Sequence, residues 1–217
     1  MKKKIIWLGA GFIILLGGFY YFLFAGTDYY TAKLPVMTYV KDFSFTDQDG
    51  HKLMQRDVEG KVYVAEYFFT TCKGICPKMN YNMQKVYEKF KNDSAFAIIL
   101  HTCQPEVDSV PLMKAYAKKM GAGPNWYFVT GSKDSLYKMA RESYLLDNEK
   151  NNSVNIADQF IHTQFFALVD KQGRVRGIYD GLKNDEIDKL NTDIKDLLRE
   201  RTSGKVFNNS TFSNNPK

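Results

Sequence analysis

The stretch KVYVAEYFFTTCKGICPKMN, residues 61–80, reads in turn as strand, loop and helix. Residues 61–69 form a nearly continuous apolar, β-branched and aromatic run, the pattern of a strand buried on both faces. From Pro77 onward, Met79, Met83, Val86, Tyr87 and Phe90 recur at helical spacing, and Pro77 suits a first helical turn. That methionine stripe has the spacing of a helix core face. Cys72 and Cys76, two of the chain's three cysteines, fall between the two elements. Reactive groups of open α/β sheets gather at the carboxyl ends of strands. A helix N-terminus favours thiolate over thiol, so Cys76 is expected to ionise readily and Cys72 to be the more exposed. The pair then reads as a redox couple, a metal site or a structural disulfide.

Working outward, FSFTDQDGHKL turns at Asp49-Gly50 as a hairpin. Residues 95–102 and 125–131 read as strands, 108–121 and 132–143 as helices, the latter capped by Ser132. Residues 163–181 read as two strands around a turn at Lys171-Gln172-Gly173, and 184–201 as an amphipathic helix. Strands first alternate with helices and then form a hairpin, which predicts a mixed α/β sheet flanked by helices.

The N-terminus differs from the rest. Lys2, Lys3 and Lys4 precede Ile5–Thr27, 23 residues without a charge, with Trp7, Tyr20 and Tyr21 near its ends. A helix of that length crosses about 30 Å of hydrocarbon and exceeds a signal-peptide core, although a cleaved signal is the alternative. The lysines predict a cytoplasmic N-terminus and an exported remainder. The expected organisation is lysines and transmembrane anchor at 1–27, linker at 28–40, one domain at 41–202 and a polar, disordered tail at 203–217.

The formal charge of +6 falls to +3 without Lys2, Lys3 and Lys4, and to about +1 without Lys205 and Lys217. No basic stripe interleaved with aromatics remains, which argues against nucleic acid as a partner. Three cysteines in 217 residues is too few for a disulfide scaffold, and a chain of this size does not need one. Nor do three thiols supply the four ligands of a structural zinc site or the four cysteines of an iron–sulfur cluster. Two thiolates and one imidazole make a three-coordinate site that Cu(I) accepts. His51 falls on the hairpin turn and reads as a surface residue. His101 ends a strand and reads as buried or partly buried. His162 precedes the strand that opens the second hairpin, where it can lean over the cysteine loop. Cys103, at the end of the strand expected beside 61–69, reads as a small buried hydrophobe, with a third thiol ligand or mixed-disulfide partner as alternatives.

GKVYVAEYFFTTCKGICPKMN, TCQPEVDSVPLMKAYAKKMG and FIHTQFFALVDKQGRVRGIYDG together resemble the SCO/SenC family, over most of 40–200 and in the same order. The resemblance implies a thioredoxin-like domain on an inner-membrane anchor, facing the periplasm or other extracytoplasmic side. It implies copper, chiefly as Cu(I) with Cu(II) left open, bound by Cys72, Cys76 and His162. The implied role is that of a chaperone assisting assembly of the CuA site in a cytochrome c oxidase subunit. The alternative is a thiol–disulfide reductase acting on that subunit or another exported protein, with Cys72 attacking and Cys76 resolving. Several positions depart from the family pattern: Lys73 replaces the usual proline after the first cysteine, Cys103 and Gln104 replace an apolar residue and an acid, and Ile161 replaces an acid before the histidine.

Overall fold

The computed structural model describes residues 2–24, 34–147, 161 and 163–200. His162 and the tail expected at 203–217 lie outside the described residues. The chain divides into two compact units, Met1–Leu34 and Pro35–Lys217. The first carries helix α1, Lys2–Phe24. Trp7, Phe12–Leu16 and Phe19–Phe22 are all at least half exposed. Counted over the residues whose side chains are described, no helix is long and apolar enough to cross a membrane.

In the second unit, the apolar runs become strands β4 (Val62–Phe68), β5 (Phe96–Thr102) and β6 (Trp126–Val129). Helices α2 (Cys76–Phe90) and α3 (Val110–Lys119) connect them, so the three strands run parallel. The late hairpin gives β7 (Phe165–Val169) and β8 (Arg174–Asp180), turning at Gly173 with φ 71°, where a residue with a Cβ would be strained. β7 pairs antiparallel with β4, and helix α5 (Asn184–Arg199) closes the chain. Thr38–Tyr39, within the segment expected as linker, forms β1 on the edge beside β8. The six-stranded order is β1-β8-β7-β4-β5-β6. The early hairpin, β2 (Ser44–Thr46) and β3 (Lys52–Met54), forms a separate two-stranded sheet.

Side-chain alternation along β4 divides the core. Tyr63, Ala65 and Tyr67 join one cluster with Phe45, Leu136, Tyr137 and Tyr144. This is the face of the hairpin and of helix α4 (Lys133–Lys138), which runs on into a π-helical turn at Met139–Ser143. Ser132 caps α4 as expected, its hydroxyl accepting the Ser135 N–H. On the opposite face Phe68 stacks on Tyr116 of α3 at 5.4 Å, and Tyr87 of α2 packs on Trp126 of β6 at 4.7 Å. Met79 and Met83 are fully buried, as the helical stripe predicted.

Candidate functional site

The end of β4 is held before the cysteine loop begins. The Cys103 N–H donates to the Phe68 carbonyl at 2.8 Å, so the third cysteine lies beside the root of the loop. The Cys72 N–H then donates to the Phe69 carbonyl at 3.2 Å, turning the chain. Ile75 has helical dihedrals and its carbonyl accepts from Lys78 and Met79, so α2 starts at Cys76 with proline in its first turn. Between these points Thr70 is tied to the next loop. Its N–H and hydroxyl both donate to Asp108 Oδ1, at 3.2 and 2.5 Å.

Cys72 and Cys76 are free thiols, half-buried and buried respectively. The Cys72 thiol is a neighbour of the Cys76 thiol and acts on its ionisation. The expected thiolate preference at Cys76 is overturned. Burial pushes its thiol up, the Cys72 neighbour and the Glu66 carboxyl add to this, and only the Phe69 N–H opposes. The cost of removing an anion from water exceeds what one amide and a helix end return. Burial also raises Cys103, with Cys76 the next contributor. Cys103 is 2% exposed and belongs to the α4-side core cluster, the buried-hydrophobe reading. Lys73 is exposed.

Two titratable groups lie in the strands beneath. Glu66 is fully buried, neither carboxyl oxygen has a hydrogen-bond partner among the described residues, and burial pushes its pKa up to about 8. It is therefore a neutral acid under the thiol loop at neutral pH. His101, fully buried on the other face, stacks on Tyr67 at 5.0 Å and is pushed down to about 3 by burial, so its ring is neutral. That is the buried strand-end role expected of it. His51 is at the hairpin turn with its side chain 80% exposed, again as expected.

The fold brings Cys72 and Cys76 together, with Cys103 next to them. Because β7 is antiparallel to β4, its first residue, Phe165, lies toward the end of β4 that leads into the cysteines. Ile161 is buried at 1%, and its N–H donates to the Tyr137 hydroxyl at 3.3 Å. That hydroxyl donates in turn to the Cys103 carbonyl at 2.8 Å. Tyr137 therefore links the backbone before position 162 to the backbone beside the thiols. Among the described residues no group of three or more His, Cys, Asp or Glu side chains is arranged to hold a metal. Sequence reasoning missed Glu66, Asp108 and Tyr137. An acid inside the run VYVAEYF was a visible signal for the first; the other two carry none without the tertiary contacts.

A thiol pair on the loop between the central strand and the following helix of a mixed, helix-flanked sheet defines a thioredoxin-like dithiol domain. Residues 32–199 match the SCO1/SenC family, and the chain belongs to that family. It is 31% identical over 166 residues to the SCO1 protein homolog of Bacillus subtilis, covering 75% of this chain and 84% of that one. It is also similar to the solved structure of BsSco, described as a Sco family cytochrome c oxidase assembly protein with a disulfide switch. That match has 30% identity and a TM-score of 0.65, covering 77% and 98% of the two chains. Copper-bound ScoI of Bradyrhizobium japonicum shares the fold at 20% identity and a TM-score of 0.58, covering 74% of this chain and all of that one.

Proposed function

We propose that this chain is a membrane-anchored copper metallochaperone that holds copper through Cys72, Cys76 and His162 and assists assembly of the CuA site of cytochrome c oxidase. The observation that carries this reading is the pair of neighbouring free thiols after the central strand of a SCO1/SenC domain. The donor set fits the cargo: two sulfurs, one of them dry, are soft ligands suited to Cu(I). Burial keeps the Cys76 proton on sulfur until a cation binds, so uptake of a cation releases it and binding tightens as pH rises. His162 supplies the third donor, and an incoming thiolate from the oxidase subunit can compete for a three-coordinate cation. Copper-bound and oxidase-assembly relatives support the role.

The anchor is α1. Ile5–Thr27 is uncharged, and the large apolar side chains described in the helix are at least half exposed. At about 1.5 Å per residue, the part of this stretch within α1, Ile5–Phe24, spans about 30 Å, the thickness of a bilayer core. Lys2, Lys3 and Lys4 favour a cytoplasmic N-terminus and a domain on the extracytoplasmic side of the inner membrane.

The asymmetry of the thiols favours a second reading, a thiol–disulfide reductase. Cys72 is the more accessible sulfur and would attack a disulfide of the partner, releasing one partner thiolate. Cys76 would then attack the Cys72 sulfur, releasing the other and leaving a Cys72–Cys76 disulfide. Anaerobic Cu(I) titration of the full chain in detergent tests the first reading. One copper per chain is expected, with at least tenfold weaker binding in Cys72→Ser, Cys76→Ser and His162→Ala. Undiminished binding by all three variants would sink it. A disulfide-reduction assay separates the two: the reductase reading requires activity that survives His162→Ala and disappears in Cys72→Ser.

A further inference from the structure

Asp108 lies between β5 and α3, directly before Ser109, the cap residue of α3. It is fully buried. Among the described residues it has no ion-pair partner, yet it accepts three hydrogen bonds. Oδ1 takes the Thr70 N–H and the Thr70 hydroxyl, and Oδ2 takes the Thr102 hydroxyl. All three donors come from threonines beside cysteines: Thr70 is two residues before Cys72, and Thr102 directly precedes Cys103. The loop carrying Asp108 is itself fixed, since the Asp108 N–H donates to the Gln104 carbonyl at 2.8 Å and the Gln104 N–H to the Thr102 hydroxyl at 2.9 Å.

A buried carboxylate without a cation is expensive unless several donors converge on it. Here the donors converge from the two segments that the thiol site must hold in register. Between the strand end and Ile75, the loop is also held by the Cys72–Phe69 turn, and the Thr71 hydroxyl makes a long 3.5 Å contact to Gln104 Oε1. We infer that Asp108 is a positioning residue for the Cys72–Cys76 chemistry, clamping the root of the thiol loop to the end of β5 so that the two sulfurs meet. The inference rests on the dithiol site proposed above. It requires an acceptor-only group: an amide at the same position would turn an NH2 toward donors. A loosened loop lowers the effective concentration of one thiol at the other, so it weakens both the disulfide and a shared cation.

The test uses the full chain with Asp108→Asn and, separately, Thr70→Val, which keeps Asp108 and the residue 70 N–H. Three quantities are read: the thermal midpoint, the Cys72–Cys76 dithiol–disulfide equilibrium against glutathione, and Cu(I) affinity. Asp108→Asn is expected to make the disulfide at least tenfold easier to reduce and to weaken Cu(I) binding at least tenfold. Thr70→Val moves both at least threefold in the same direction. A dithiol equilibrium within twofold of wild type in a folded Asp108→Asn overturns the inference, even if its melting point falls. If Asp108→Asn does not fold, the same criterion applied to Thr70→Val decides. Should wild type take up no copper while the variants still shift the glutathione equilibrium, the copper reading fails and the clamp stands.

Discussion

Glu66 and His101 belong to paired strands and point to opposite faces, where Glu66 is opposite Leu100 and His101 opposite Tyr67. Their shifts give stability a pH profile. The Glu66 pKa rises from 4.5 to about 8 on folding. Between those values the native chain keeps a proton the unfolded chain has lost, so stability falls as pH rises. The His101 pKa drops from 6.5 to about 3. Between those values the unfolded chain takes up a proton the native one refuses, so stability falls as pH falls. The two slopes cancel from 4.5 to 6.5, which predicts a plateau there with losses on either side. Glu66→Gln should remove the alkaline loss, gaining on wild type by up to about 1.4 kcal/mol per pH unit across the Glu66 window. Urea unfolding followed by tryptophan fluorescence at several pH values measures this, and parallel curves for the two proteins would refute it. At this scale the sequence placed Cys72 and Cys76 between a strand and a helix, as the structure does, but gave the wrong direction for the Cys76 thiol. Burial of Cys76 depends on α2 and its neighbours closing over it, a property no local spacing encodes.

At the level of elements, strands and helices with strong periodicity were readable to within a residue or two. β4, β5 and α2 are buried runs or amphipathic stripes, and their own composition selects the conformation. Two elements were not readable. β1 is two residues long and exists because β8 offers it an edge. The widened turn at Met139–Ser143 continues a helix whose sequence shows only ordinary helical spacing. Tyr137, on α4, shows what such contacts do: its hydroxyl joins Ile161 to Cys103 across 58 residues of chain. Tyr137→Phe removes both bonds and leaves two buried backbone groups short of a partner. It should lower stability by about 1–2 kcal/mol. Thermal or urea unfolding checks this, and an unchanged stability would show that the bridge contributes nothing.

For the molecule as a whole, connectivity was legible because parallel strands demand crossover helices, and the site's location followed from it. The proposed ligands come from distant parts of the chain, Cys72 and Cys76 near its first third and His162 near its last. Only topology can bring such positions toward one end of a sheet. What the topology also creates is an uneven seam. β4 is laddered to β5 through Phe68, but to β7 only from Tyr63 to Ala65. The last three residues of the central strand thus have no ladder partner on β7 among the described residues. The amide hydrogen of Tyr67, which points away from β5, should exchange with deuterium through local opening, well before those of Tyr63 and Ala65, which wait for larger excursions. Native-state exchange resolved by mass spectrometry would register this as a soft end on a rigid strand. The domain can then loosen the backbone beneath its thiols while the rest of the sheet stays closed.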